Sequence, residues 1–336
     1  MREAYNPNKN KKTPKALHAH RIIIPLHIPA LDSYHKDALK IFELSLNSLK
    51  STAIDTPITV VLNDCAPEIE TQLFANYQEK GIDELIISRQ AGKINSILKG
   101  IRGSGEKFIT IADADILFLN GWLENTSKVF REFPKAGVVG IIPQFKMYEN
   151  LGYNVIYDNL FSRKLKFHPV KNPLDMEKFY ESINWEKNYN KDYLKYTMTV
   201  FSKADVKALV GSGHAIATYK RELFDNNLPF SEYLLGGNSM SYLDQPVVEK
   251  GYWRLTTEDN YAYHMGNIFE SWMEEINFSS KNRAEEIKFP ELTFKPRGKI
   301  QYFLKNKLFP KLFKFSFFKK WFFRYKKLPA EMINTY

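Results

Sequence analysis

Two carboxylates one residue apart, Asp113 and Asp115, interrupt an apolar run, IADADILF (111–118). In open α/β sheets the ligand crevice lies at the carboxyl ends of the strands. An acid pair placed where a buried strand ends can turn both side chains into that crevice. Hard divalent cations such as Mg2+ and Mn2+ take oxygen ligands, and phosphate oxygens complete their shells. An Asp-x-Asp also caps turns, but Asp113 breaks an apolar stretch instead of sitting among turn residues. Other chemistries lack their signatures. There is no Gly-x-x-x-x-Gly-Lys-Ser/Thr loop, no Gly-x-Gly-x-x-Gly after the first apolar run and no Gly-x-Ser-x-Gly elbow. The single cysteine, Cys65, excludes an internal disulfide and a thiolate metal cluster.

The elements that must position the acid pair follow from periodicity. RIIIPLH (21–27), ITVVL (58–62), ELIIS (84–88), KFITIA (107–112) and AGVVGIIP (136–143) read as buried strands. Between them, Leu39, Phe42, Leu46 and Leu49, then residues 67–80, then Ile94, Ile97, Leu98 and Ile101, then Trp122 to Phe133 read as helices. This alternation predicts βαβ units and a mostly parallel sheet. Residues 145–205 are rich in Tyr, Asn and Lys and predict an insertion of short helices. The α/β pattern resumes at HAIATYK (214–220). It continues through a Gly-rich loop (234–241), a helix from Pro246, strands at YWRLTT (252–257) and NYAYH (260–264), and a final helix over 268–287.

The net charge of +10 is concentrated in one segment. Residues 295–327 hold twelve Lys or Arg, no Asp or Glu, and eleven aromatics, and without them the chain carries −2. A near-neutral body with a basic aromatic tail argues against nucleic-acid binding, which needs a broader basic surface. Ile300, Phe303, Leu304 and Leu308 sit at helical spacing and Pro310 breaks the run. Phe313, Phe317, Phe318, Trp321, Phe322 and Tyr325 then fall on one arc, opposite Lys319, Lys320, Lys326 and Lys327. Such a helix lies in an anionic membrane interface; the competing reading packs it on the body or in a dimer. No apolar run is long enough to span a bilayer, and MREAYNPNKNKKTPK lacks the apolar core of a secretory signal. The expectation is a cytoplasmic protein, peripheral on the inner face of the cell membrane.

Residues 21–264 resemble a family-2-like glycosyltransferase of the GT-A fold, of the bacterial surface-polysaccharide type. The resemblance rests on IIIP (22–25), on Asp64 in the turn Asn63-Asp64-Cys65-Ala66, and on Gly92-Lys93-Ile94-Asn95. It continues with Asp113 and Asp115, Leu243-Asp244, Gly251-Tyr252-Trp253-Arg254 and His264. Two matches depart from the pattern: the second turn keeps only Asp64 of its acidic set, and the acid before Asp244 is missing. The resemblance implies an α/β Rossmann-like nucleotide-sugar-binding sheet flanked by helices, followed by the basic amphipathic tail. It divides the chain into a flexible lead (1–20), a catalytic domain (21–290) and a membrane-associating tail (291–336). Within the domain, 21–118 is the nucleotide-binding half and 119–290 the acceptor half.

It also implies roles. Pro25, Asp64, Arg89, Lys93, Asn95 and Asp113 would bind the nucleotide sugar. Asp113, Asp115 and His264 would hold Mn2+ or Mg2+. Asp244 would be the general base, a role compatible with capping the helix at Gln245-Pro246. His264 is otherwise a buried strand histidine, and Lys93 and Asn95 a solvated helix start. Of the remaining histidines, His214 in GSGH lies nearest the cleft. The implied activity is inverting, metal-dependent transfer from a nucleotide sugar, UDP-linked, to a glycan or lipid-linked glycan acceptor in bacterial surface polysaccharide or lipopolysaccharide synthesis. The alternatives are a non-catalytic, membrane-docked glycan-binding protein on the same fold, or a retaining transferase in which Asp244 is structural.

Overall fold

The structure is a computed structural model that describes residues 6, 8–12, 16–225, 228–276, 278, 287–295 and 298–336. The first half alternates as its periodicity requires. β1 (His20–Leu26) leads to α1 (Ala38–Thr52), β2 (Ile58–Asn63) to α2 (Pro67–Asn76), β3 (Glu84–Ser88) to α3 (Gly92–Gly103), and β4 (Phe108–Ala112) follows. These strands lie parallel in the order β3-β2-β1-β4, since helical crossovers return each strand in the same direction. Alternate residues of β1 go to opposite faces. Ile22 and Ile24 pack with Phe42, Leu46 and Leu49 of α1, and Ile23 packs with Ile94, Ile97 and Ile101 of α3.

The chain continues through β5 (Ile116–Phe118), α4 (Trp122–Glu132), β6 (Ala136–Gly140), α5 (Tyr153–Asp158), β7 (Leu165–Pro169) and α6 (Pro173–Ser182). Next come β8 (Tyr196–Phe201), β9 (Lys207–Val210), β10 (Ile216–Lys220), α7 (Gln245–Glu249), β11 (Trp253–Thr257), β12 (Ala262–His264) and α8 (Trp272–Glu275). One sheet runs β3-β2-β1-β4-β10-β6-β11-β9-β8-β7, and β5 pairs with β12 in a separate ribbon.

The sheet is mixed and not mostly parallel. β10 runs antiparallel between β4 and β6, and β7, β8 and β9 extend the sheet antiparallel beyond β11. The insertion thus supplies strands as well as short helices. Leu165 and Phe167 point inward while Lys166 and His168 are half-exposed, so its polar alternation belongs to strands covered on one face. Of the final helix expected over 268–287, Trp272–Glu275 is helical; residues 277 and 279–286 lie outside the described residues. So do residues 1–5, 7 and 13–15 of the lead, and residues 296 and 297 of the tail.

The tail forms α9 (Lys299–Tyr302), a wider turn to Leu308, a tighter one to Lys314, and α10 (Ser316–Tyr325). Its aromatics divide differently from the spacing prediction. Phe309, Phe322 and Phe323, with Met332, Ile333 and Tyr336, are buried in one apolar cluster with Phe130, Phe167, Met198 and Leu255. Lys326 is buried with them and donates to the Asn159 and Ser162 carbonyls at 2.9 and 2.8 Å. Phe303, Phe315, Phe317, Trp321 and Tyr325 remain exposed. The two adjacent aromatics Phe322 and Phe323 both face the body because the tail wraps the edge of the sheet, which a free helix lying on a flat surface would not do.

One buried group makes acid stability testable. His20 is 4% exposed and its Nε2 lies 2.6 Å from Thr110 Oγ1. Burial holds its imidazole down to about 3. The unfolded chain takes up this proton near pH 6.5 while the folded chain does not, so the neutral histidine's contribution is lost as pH falls from 6.5 towards about 3. At roughly 1.4 kcal/mol per unit, wild type should lose about 2 kcal/mol more than His20→Gln between pH 7 and pH 5. Denaturant unfolding at both pH values measures the difference, and equal losses would refute the assignment.

Candidate active site

The acid pair stands where β4 ends. β10 pairs antiparallel with β4, Ile216 opposite Ala112, and the Asp113 N–H donates to the Ala215 carbonyl at 2.8 Å. The ribbon then fixes the other side. His264 of β12 pairs with Ile116 of β5, and the Met265 N–H donates to the Asp115 carbonyl at 2.8 Å. His264 Nε2 consequently lies 3.3 Å from Asp115 Oδ2, while its Nδ1 is 3.0 Å from Ser182 Oγ of α6. Lys93, in the first turn of α3, brings Nζ to 2.5 Å from Asp113 Oδ1. Burial lowers the Lys93 ammonium, and Asp113 beside it more than offsets this and leaves it raised. Burial pushes the Asp115 carboxyl above its ordinary range, with His264 opposing and Asp113 adding to the shift.

The donor chemistry of this pair suits a hard divalent cation. Asp115 Oδ1 is buried with no hydrogen-bond partner, beside a second carboxylate on a short turn, and both are oxygen donors suited to Mn2+ or Mg2+. Among the described residues no group of three or more His, Cys, Asp or Glu side chains converges as a ready cage. Of the expected ligands Asp113, Asp115 and His264, the structure brings the His264 Nε2 to 3.3 Å from Asp115 Oδ2, beside the turn that carries both acids. The two carboxylates would need oxygens from a ligand.

The other expected nucleotide-binding residues sort into two groups. Pro25 sits in β1 opposite Val61, and Asp64 follows β2 with φ +49°. The Asp64 carboxylate accepts from the Gln90 N–H at 2.9 and 3.0 Å and joins the turns after β2 and β3. Arg89 and Asn95 are engaged elsewhere. The Arg89 guanidinium forks onto Glu70 of α2. The Asn95 amide donates to the Ala91 and Ser231 carbonyls and its oxygen accepts from the Ser231 N–H. Asn95 pins the loop after residue 231 over α3 instead of facing a ligand. Gly92 serves that same closure: at φ +71°, a Cβ there would come 2.7 Å from the Tyr233 carbonyl oxygen. Asn63, not singled out by its own chemistry, caps α3 from across the strand, with Oδ1 accepting from the Ala91 and Gly92 N–H groups.

Asp244 precedes α7 as its N-cap residue but makes no capping bond. Its side chain is 1% exposed, with Oδ1 2.8 Å from Arg254 Nη2 and Oδ2 3.1 Å from His214 Nδ1. Arg254, wholly buried, also donates to the Asn150 and Ser212 carbonyls. The base expected at Asp244 is therefore spoken for on both oxygens. The lone acid-bearing segment and the Gly-aromatic-Arg segment gave the only signal for this pair. A cavity of about 780 Å³ opens beside His264, walled by Asp175, Lys178, Phe179, Tyr263 and Trp272 among others.

A mixed α/β sheet flanked by helices, with paired carboxylates at the carboxyl end of a central strand, defines a nucleotide-sugar-binding fold of the GT-A type. Residues 34–201, half the chain, match the profile of Glycosyl transferase family 2, and the chain belongs to that family. Solved structures align with it more distantly. Residues 1–349 of TarS from S. aureus match at 15% identity and TM-score 0.43, covering 74% of this chain and 60% of that one. A mannosyltransferase from Pyrobaculum calidifontis, in complex with GDP-Man and Mn2+, matches at 14% identity and TM-score 0.43, covering 75% and 59%. The chain thus spans about three fifths of the length of these proteins. No curated protein matches it.

Proposed function

We propose that this protein transfers a sugar with inversion from a nucleotide sugar, UDP-linked, to a glycan or lipid-linked glycan acceptor in bacterial surface polysaccharide or lipopolysaccharide synthesis. The observation that supports the reading most is the acid pair after β4, held against Lys93 on one side and His264 on the other. Asp113 and Asp115 would hold Mn2+ or Mg2+ with the donor's diphosphate. The cation would stabilise the negative charge that develops on the leaving diphosphate. Lys93 is placed to balance charge on the same oxygens once a cation relieves it of Asp113. Asp64, after β2, and Pro25, near the end of β1, would line the side where a nucleoside lies. A nucleotide sugar with Mn2+ should raise the unfolding midpoint. A hundredfold excess over the dissociation constant stabilises by about 2.7 kcal/mol. No shift with UDP-, GDP- or CMP-linked sugars, with or without metal, would reject donor binding.

The engagement of both Asp244 oxygens favours a second reading, a non-catalytic glycan-binding protein. Release of nucleoside diphosphate from a bound donor separates the two, since a binding protein produces none.

The tail fits an anionic membrane surface on the cytoplasmic side. No helix among the described residues is long and apolar enough to cross a membrane. Phe315 and Phe317 are 63% and 80% exposed, and Trp321 and Tyr325 stack at 5.5 Å near them. Lys307, Lys311, Lys314, Arg324 and Lys327 are exposed in the same segment. Each such cation contributes about 1 kcal/mol near an anionic surface. Lys311→Glu with Lys314→Glu should weaken sedimentation with phosphatidylglycerol vesicles by tenfold or more, as should high salt. Unchanged sedimentation of the double variant would remove the membrane role. Substitution is the suitable test because Phe309, Phe322 and Phe323 belong to the core, so deleting the tail would also expose the body.

A further inference from the structure

We propose that His214 takes the proton from the acceptor hydroxyl and that Asp244 acts through it as a positioning residue. This rests on the transferase reading above and revises which group touches the acceptor. A general base must reach the proton it removes, within hydrogen-bond distance or through one water. Asp244 fails that geometric test. Its carboxylate is buried, one oxygen is bound by Arg254 at 2.8 Å and the other by His214 at 3.1 Å. His214 is the accessible member of the pair, with a side chain 36% exposed.

The imidazole is oriented from behind. Nδ1 faces the Asp244 carboxylate, so the Nδ1–H donates and the Nε2 lone pair is left outward. Arg254 fixes the carboxylate and balances its charge. On the outward side, Ser239 Oγ lies 3.4 Å from Nε2. That hydroxyl donates its own proton to the Gly236 carbonyl at 2.7 Å, so it does not use the lone pair.

Position agrees with the role. His214 precedes Ala215, whose carbonyl receives the Asp113 N–H. The antiparallel seating of β10 against β4 therefore runs the chain at His214 alongside the turn that carries the acid pair. The loop carrying Ser239 also reaches the donor side, since the Leu234 carbonyl accepts from the Lys93 N–H at 2.8 Å. One loop thus joins the ammonium beside Asp113 to the imidazole.

The step balances. Nε2 accepts the acceptor's hydroxyl proton as the acceptor oxygen bonds to the anomeric carbon. The bond from that carbon to the diphosphate oxygen breaks, and the diphosphate leaves with the electron pair. The imidazolium, stabilised by Asp244, then gives its proton to water.

The test measures nucleoside diphosphate release and product formation from UDP-glucose, UDP-galactose and UDP-N-acetylglucosamine with Mn2+. Water and simple alkyl glycosides serve as acceptors, and donor binding and unfolding are measured in parallel. His214→Gln should keep the donor dissociation constant within threefold and lose turnover by ~10²–10⁴-fold. His214→Ala should regain turnover with added imidazole, which a structural role would not produce. Asp244→Asn should lower turnover with little change in donor affinity, because the imidazole is then held in the wrong tautomer. Turnover by His214→Gln within threefold of wild type overturns the proposal. So does a loss of the same size in Ser239→Ala, which would make the serine the group that His214 activates. Wild-type protein that binds none of these donors and releases no diphosphate overturns the transferase reading itself and this role with it.

Discussion

Asp115→Ala should lose metal-dependent donor turnover by at least ~10²–10³-fold, the effect of removing one preorganised electrostatic contact to a developing charge. The acid is suited to such a loss because its surroundings already resist its charge. Asp115 Oδ1 is buried without a partner, Asp113 stands beside it, and burial raises its carboxyl. A bound cation would remove that penalty, so the same surroundings that resist the carboxylate's charge favour it as a ligand. The fold should tolerate the change, since the backbone bonds of Asp113 and Asp115 to Ala215 and Met265 do not involve the side chain. Calorimetric titration of UDP in Mn2+ and in chelator should show metal-dependent binding in wild type and none in the variant. UDP affinity that is unchanged in Asp115→Ala with metal present would sink the assignment. Lys93→Met should behave differently. It leaves Asp113 without its paired ammonium, so a loss of diphosphate affinity should come with a small loss of stability.

Arg254→Met should be the largest single loss of stability near the site, about 3–5 kcal/mol, the usual cost of leaving a buried partner charged and alone. The guanidinium is 0% exposed, and it satisfies Asp244 and the Asn150 and Ser212 carbonyls together. Removing it orphans three acceptors in the core. The double variant Arg254→Met with Asp244→Leu should recover part of the loss, because replacing both members of a buried pair by apolar groups costs far less than removing one. Chemical denaturation of the wild type, the single and the double variant measures this directly. A single variant within 1 kcal/mol of wild type would show that the pair is not the anchor its burial indicates.

Much of the positioning was legible in local sequence. The β-branched runs of β1, β2 and β4 and the apolar spacing of α1 and α3 specify buried strands and one-sided helices, because period and burial are properties of contiguous residues. The same locality made the acid pair visible: a charge at the end of an apolar run is conspicuous without any tertiary knowledge. The strands of the insertion were hidden because β7 and β8 carry Lys166 and His168 opposite Thr199 and Thr197 on their outer face and pair across a helix and a loop. The tail was misdivided for a related reason. Helical spacing names an arc, but which arc faces the body depends on the sheet edge it meets.

Sequence by itself determined the class of the chain, the βα order of its nucleotide half and the place of Asp113 and Asp115, since each depends on residues close together in the chain. Only the tertiary structure decided what the acids and bases touch. His214 and Asp244 are thirty residues apart, Lys93 and Asp113 lie on different elements, and His264 reaches Asp115 through a ribbon from the far end of the domain. Asn95 and Arg89, expected to face a ligand, were taken by Ser231 and Glu70 instead. A side chain's hydrogen bonds go to whatever packing brings within about 3 Å, and that neighbourhood is set by strand order and register, in which no local pattern is written.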